Sequence, residues 1–369
     1  MAVELKLAEL SFDDSVLTDL RLTTGVDTVY GGLQADSMAA VIRGDGSVEG
    51  QALQEQKVQL FQDGELIATQ CLKNSKRTGS RQVELSCRSD IEFLQSRFMG
   101  GIYNSQDPMT LLDEILLGKT YTLDADIIRR KLTGYLPVCS REDALQQVAF
   151  ALGAVLSMDK NGQFKFNALT NTATWIPASR ILSGGALETL PAYTKVELVS
   201  HSYTPSSHWV TLFEGRDYGT EPVTLTFGQP YAEYSFAEGT LIDWGPNFVT
   251  FMPGYTTTLR ARPYVHATAY HTVEEPAADS GYSKVLSVRD MTLVSPENAQ
   301  QVLEWLYQRG QLVQKLQVTV LAQGERAGQP VQLPTPWGTV FSGYISKMKS
   351  AFTGSSQIAE LTVCGREET

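Results

Sequence analysis

Basic residues are scarce in this chain. Lys and Arg number 30 against 41 Asp and Glu, a net charge of −11 over 369 residues. Proteins that grip nucleic acid by its phosphates need a positive surface, so that class is set aside. Cysteine is rarer still, at four. Cys71, Cys87, Cys139 and Cys364 form no C-x-x-C pair and no zinc-like spacing. Cys71 and Cys87 could sit on neighbouring strands, but buried free thiols are the expected state. Long apolar runs are missing too. The longest, 148–156, falls far short of the roughly 20 residues that span a bilayer. The opening MAVELKLAEL lacks the layout of a secretory signal, which predicts synthesis and folding in a cytoplasm.

Catalytic signatures are equally thin. No G-x-S-x-G, H-E-x-x-H or Cys/His set occurs. Leu117-Gly118-Lys119-Thr120 ends like a phosphate-binding loop, yet the required upstream glycine is absent and a helix precedes it, so it reads as a helix C-terminus. Asp159-Lys160-Asn161-Gly162 lacks the remaining ligands of a calcium loop and reads as a hairpin turn. Of His201, His208, His266 and His271, the last two are five apart on one predicted strand, hence on opposite faces and unsuited to share a metal. Glu188, Glu197, Glu214, Asp217 and Asp243 offer carboxylates for a hydrolase pair, which needs a spacing that sequence does not supply. No catalytic residue, cofactor or metal is therefore expected.

What is present describes a folded, strand-rich protein. Hydrophobic residues make up 42% and charged residues 19%, enough core for two or three domains. Residues 1–88 alternate like strands, and Asp63-Gly64 marks a two-residue hairpin turn. That turn predicts Val58 and Leu60 opposite Thr69 and Ile67. A short helix is expected over 90–98. Asp107-Pro108 opens another, with Met109, Leu112, Ile115 and Leu116 along one side. Ser140 and Asp143 form a capping box for a third, whose stripe is Leu145, Val148, Ala149 and Leu152. Phe150, Ala151 and Ala154 fill its opposite side, so it is expected between layers. Residues 167–191 read as a loose connection, and β-runs return from 195 to 271.

Aromatics gather in that third part: Trp209, Tyr218, Tyr231, Tyr234, Phe236, Trp244, Phe248, Phe251 and Tyr255. A sugar-binding face would use such residues, and so would an ordinary sheet core. The stretch 285–348 is the best marked. A strand over 285–293 leads to Ser295 as helix cap and Pro296 at the first helical position, with the helix over 296–309. Ala299, Val302, Leu303 and Leu306 form its stripe, and Gly310 ends it. Leu316, Val318 and Val320 then alternate with polar residues. Trp305 lies roughly 110° from the stripe's centre, so it needs a neighbouring element or a second chain. Trp305 and Phe150 are the two candidate interface residues. Both ends of the chain share a plan of β-runs plus one packed helix, which raises an internal duplication as a suspicion.

Three segments carry a resemblance. The C-terminal one has Val288, Asp290, Thr292 to Ser295, Asn298, Ala299, Gly324, Glu325, Gly328, Val331, Gly338, Val340, Gly343 and Ile345 in order. The middle one has Leu136, Pro137, Cys139, Arg141, Ala144 to Gln147, Ala149 to Ala151, Gly153 and Ala154. The first has the Asp63 to Glu65 hairpin, the Lys76 to Gly79 turn and Phe98 to Tyr103. Together they resemble phage baseplate hub proteins of the XkdQ/YqbQ type, from contractile and related tails of Gram-positive bacteria. The resemblance implies a mainly β fold with an α+β insertion: two tail-tube-like β-barrel domains and a small helix-containing middle domain. It sets the expected domains at 1–100, 101–194 and 195–369. It further implies a non-enzymatic homotrimer forming a pseudo-sixfold ring in a virion tail or a tailocin-like contractile injection particle. Implied partners are a tail tube protein, a central spike or needle, baseplate wedge components and a tape measure protein. DNA would pass the lumen without specific binding, with which an acidic chain is compatible. A carbohydrate-binding or adhesion module of a tail is the alternative, with a cell-wall hydrolase behind it.

Overall fold

A computed structural model describes residues 3–27, 32–43, 55–79, 81–168, 173–216, 221–254, 256–274, 284–353 and 356–368. The chain begins with seven strands: β1 (Val3–Leu7), β2 (Leu10–Asp13), β3 (Leu17–Gly25), β4 (Ser37–Arg43), β5 (Lys57–Gln62), β6 (Glu65–Gly79) and β7 (Gln82–Arg88). They lie in the order β3-β4-β7-β6-β5-β1-β2, every pair antiparallel. Period-two alternation turns Leu5, Leu7, Leu20, Met38, Ile42, Val58, Leu60, Leu72 and Leu85 into one core. Asp63 and Gly64 make the predicted turn with φ of 53° and 80°. The register beyond it differs from expectation. Val58 and Leu60 face Gln70 and Ala68, because a bulge beside Leu60 inserts Ile67 as an extra residue.

The middle of the chain holds β8 (Arg97–Phe98), β9 (Gly101–Gln106), α1 (Pro108–Leu116), β10 (Tyr121–Leu123), β11 (Leu132–Leu136), β12 (Cys139–Ser140), α2 (Arg141–Ala151), β13 (Val155–Met158) and β14 (Phe164–Asn167). The helix expected over 90–98 shrinks to a 3-10 turn, Glu92–Gln95, because Phe98 is drawn into a strand pair with Cys139. Asp107 caps α1, accepting from the Met109 amide at 3.0 Å. The buried face of α1 is Pro108, Leu111, Leu112, Ile115 and Leu116, which leaves Met109 exposed instead of in the stripe. Leu117 and Gly118 end the helix in left-handed conformations, as the C-terminus reading required. Ser140 accepts from the Asp143 amide to cap α2. That helix is buried on both sides, with Leu145, Val148 and Ala149 in one cluster and Phe150 in another. Asp159 Oδ1 accepts from the amides of Asn161 and Gln163, closing the β13–β14 turn.

Residues 167–191 are more than a connection. They contain β15 (Thr174–Trp175) and β16 (Ile181–Thr189), which cross the expected boundary at 194 to pair with strands from the end of the chain. Next come β17 (Lys195–Pro205), β18 (Val210–Arg216), β19 (Val223–Thr226), β20 (Tyr231–Phe236), β21 (Gly239–Gly245), β22 (Phe248–Pro253), β23 (Thr256–Glu274) and β24 (Val285–Val288). They form two small sheets of their own. α3 (Ala299–Gly310) packs Ala299, Val302, Leu303 and Leu306 against Val196 and Leu198 of β17. It starts one turn later than predicted. Asn298, not Ser295, stands at the cap position, but its side chain makes no capping hydrogen bond; its Oδ1 accepts instead from the Ser295 amide upstream at 2.8 Å.

The last four strands are β25 (Gln314–Leu321), β26 (Pro330–Pro334), β27 (Val340–Thr353) and β28 (Ser356–Glu368). With β16 and β15 they curl around Leu316, Val318, Val320, Val331, Leu333, Phe341, Ile345, Leu361 and Val363. The molecule is thus mainly β, with two curled sheets at its ends in sequence joined into a single 13-stranded sheet.

Candidate assembly surface

The joint between the two curled sheets is one strand. The first half of β27 pairs with β26, from Pro334↔Val340 to Pro330↔Tyr344. Its second half leaves β26 and pairs with β3, from Lys347↔Gly25 to Ala351↔Arg21. The change of partner falls at a bulge between Ile345 and Lys347, where a strand bends most easily. Ser346, the extra residue, accepts the Val26 amide at 2.9 Å. Gly343 and Gly365 face each other there, and a Cβ on Gly343 would lie 2.3 Å from the Cys364 carbonyl oxygen.

Polar groups buried at this joint tie the sheets further. Arg326, on the loop before β26, donates to the Ile67 carbonyl of β6. Asp36, at 8% exposure, accepts the Gly25 amide at 3.3 Å. Burial pushes its carboxyl up to about 7, with the Gly25 amide and the Arg326 charge opposing. Glu325, matched in the resemblance, is buried against Arg180, which also donates to the Leu321 carbonyl at 2.9 Å.

Each sheet repeats the other. The order β3-β4-β7-β6-β5 in the first corresponds to β16-β25-β28-β27-β26 in the second, with every neighbour antiparallel in both. The suspected duplication is therefore visible as topology. Within the two repeated five-strand units, two edges have no strand partner among the described residues: the outer side of β16, and β6 beyond Leu72, which there pairs only with β7.

Phe150 and Trp305 meet each other. Their rings stand edge to face at 5.6 Å between centroids and 90° between planes. Phe150 is fully buried, so the neighbour its helix lacked is α3 of the same chain. Trp305 is half-buried, and its Nε1 has no hydrogen-bond partner among the described residues. The Arg309 guanidinium lies over the Trp305 ring at 4.6 Å. It is 5% exposed, forms no hydrogen bond among the described residues, and burial pulls its pKa down to about 9.

The other candidates are spread over several elements. Glu188, Glu197, Glu214 and Asp243 lie on β16, β17, β18 and β21, and Asp217 lies outside the described residues. His201 Nε2 donates to the Arg289 carbonyl at 2.9 Å, which leaves its Nδ1 to accept from His266 Nε2 at 2.9 Å. His266 also stacks on Tyr203, while His271 meets Ser200 across the strand pair at 2.8 Å. His208 is exposed in the turn after β17. Among the described residues no three of His, Cys, Asp and Glu gather as a metal set. Tyr231, Tyr234 and Phe227 pack on one another, and Phe236 packs on Phe251. Trp209 and Trp244 stay about half exposed, and Tyr218 and Tyr255 lie outside the described residues. The four cysteines are free thiols. No described helix is long and apolar enough to cross a membrane.

No protein-family model and no curated protein matches the sequence. Solved structures do match, over nearly the whole chain. A 43 kDa tail protein of prophage MuSo2 from Shewanella oneidensis superposes with a TM-score of 0.58 at 12% identity, covering 98% of each chain. A tail protein from Neisseria meningitidis MC58 gives 0.57 at 12% identity, covering 99% of this chain and 96% of that one. Prophage tail protein gp18 from Listeria monocytogenes EGD-e gives 0.52 at 10% identity, covering 100% and 95%. The fold is that of phage tail proteins. Sequence reasoning had found the Gly343 and Glu325 neighbourhoods through the resemblance. It missed Asp36, Arg326 and both open edges, because which strand lies at an edge is decided by pairing between residues hundreds of positions apart.

Proposed function

We propose that this chain is a structural subunit of a phage tail or phage-tail-like injection particle. It acts there as the hub ring that joins the tail tube to the central spike. The observation that carries the reading is the doubled sheet: two topologically equivalent curled sheets in one chain, joined through a shared strand. Three copies place six such units around an axis, which suits a sixfold tube on one side and a threefold spike on the other. The likeness to solved tail proteins over the full length of the chain supports the same role. In this reading the curled sheets are the tube-like units and the segments between them are insertions. Tube, spike, wedge and tape measure proteins are the partners, the role is non-catalytic, and the chain resides in the baseplate. A carboxylate pair or an exposed aromatic platform would favour the rival readings. Tyr231, Tyr234, Phe236 and Phe251 pack inward, which supports a core role for them over a sugar-binding platform.

The test is native mass spectrometry and negative-stain averaging of the chain, alone and with its tube and spike proteins. A mass of three chains and a threefold ring are expected. A chain that stays monomeric in the presence of both partners overturns the hub reading.

A further inference from the structure

The two open edges correspond, strand for strand, to the two edges that already meet inside the chain. In the internal joint, β27 beyond its bulge pairs with β3. By the shared strand order, the counterpart of β27 is β6 and the counterpart of β3 is β16. We propose that β6 of one copy pairs antiparallel with β16 of the next, with Lys76 opposite Glu188. This rests on the ring reading and names the contact that would close the ring.

The register follows from the bulges. β27 is bulged between Ile345 and Lys347, and β6 is bulged between Leu72 and Asn74, so Leu72 corresponds to Ile345. Stepping across the pairs, Cys87 then matches Val363, Met38 matches Leu316 and Leu22 matches Leu187. All eight face a core: seven are buried, and Leu187 packs against the cluster of its sheet. The shared bulge sets the alignment, and the agreement of inward faces across four strands excludes a slip of one, which would turn every side chain over.

Carrying the internal register across, Lys347↔Gly25 becomes Asn74 opposite Leu190. Lys349↔Thr23 becomes Lys76 opposite Glu188; a second bulge of β6, between Arg77 and Gly79, ends the correspondence there. The register, set by bulges and buried faces alone, brings an exposed Lys against an exposed Glu. Lys76 has Glu84 as its partner on β7, and Glu188 has Lys315 on β25. The row across the contact then reads Lys315, Glu188, Lys76, Glu84, with alternating sign, and opposite charges directly across a strand pair are favourable. Long edges left open invite pairing, and β16 runs nine residues. Because β6 and β16 are different edges, the contact is head-to-tail, the type that generates rings.

The test uses the full chain under whichever of the above conditions gives the ring. Oxidised K76C/E188C should yield covalent dimers and trimers on a non-reducing gel. The off-register pair K76C/L182C, and each single variant, should not. Charge reversal supplies a second readout: K76E and E188K should each shift the mass distribution toward monomer by tenfold or more in dissociation constant, and K76E/E188K should restore it. A ring that forms with no crosslink between positions 76 and 188 and ignores both reversals overturns the strand pairing and leaves the hub reading standing. A chain that forms no ring under any condition and gives no crosslink overturns both.

Discussion

The contribution of Asp36 to stability should fall as pH rises from about 4 to 7. Its carboxyl is 8% exposed at the joint between the two sheets. Burial raises its pKa from 3.8 to about 7 in spite of the Gly25 amide and the Arg326 charge. Between those values the folded chain holds a proton that the unfolded chain has released. That contribution is therefore fully present below about pH 4 and is lost as pH climbs through the folded pKa, levelling off above it. At about 1.4 kcal/mol per pH unit, the total is about 4 kcal/mol. Asp36→Asn removes the titration while keeping an oxygen for the Gly25 amide. The measurement is urea unfolding of the wild type and D36N in half-unit steps from pH 4 to 8.5. The other carboxylates titrate in both proteins, so the difference isolates Asp36. D36N should gain on the wild type by up to about 1.4 kcal/mol per pH unit and reach a plateau near pH 7. Replacing Arg326 by Met should move that plateau to higher pH, because the charge opposing the shift is gone. Parallel curves for wild type and D36N would refute the reasoning, since they would mean that Asp36 is ionised in the fold throughout.

Phe150→Ala should cost about 3–5 kcal/mol, the range for emptying a large buried aromatic site. A double-mutant cycle with Trp305→Leu, read by denaturation, should return about 0.5–1.5 kcal/mol of coupling for the edge-to-face pair; zero coupling would contradict the contact. Arg180→Met should destabilise by about 3–5 kcal/mol, because it strands the buried Glu325 carboxylate, and Glu325→Gln in the same background should recover part of that loss in a thermal melt. Gly343→Ala should lower the melting temperature by several degrees, equivalent to about 2 kcal/mol or more, because its Cβ would strike backbone that does not move aside. A silent G343A would mean that β27 and β28 are further apart than the Gly343–Gly365 pair places them.

Local features were the legible ones. The Asp63-Gly64 turn, the Ser140 cap and the Ala299, Val302, Leu303 and Leu306 stripe depend on residues within a turn or two of each other, and they stand where expected. The misses share another cause. Met109 and Leu111 fit a helical stripe equally well on paper, and only the packing of α1 chose between them. Ile67 became a bulge because the core took Ala68 opposite Leu60, a choice made by the whole curled sheet. Residues 174–189 looked like a linker because short polar and glycine-containing strands at an edge bury little; most of β16 is exposed. Trp305 was correctly marked as needing a partner, yet the partner lay 155 positions earlier in Phe150.

The two bulges give the duplication its physical content. In β27 the extra residue, Ser346, accepts the Val26 amide of the first sheet, and its hydroxyl donates to the Thr362 carbonyl at 3.0 Å. A bend at that point lets one strand serve β26 before it and β3 after it. β6 carries the same bend at the same place, with Lys73 as the extra residue, its ammonium held by Glu55 and Glu92. Before the bend β6 serves β5; after it, among the described residues, the strand has β7 on one side only. A bulge breaks a ladder and leaves a backbone group unpaired, which costs stability unless the redirected strand gains a new neighbour. Inside the chain that neighbour is β3. In the proposed ring, β16 of a second copy would offset the same cost in β6.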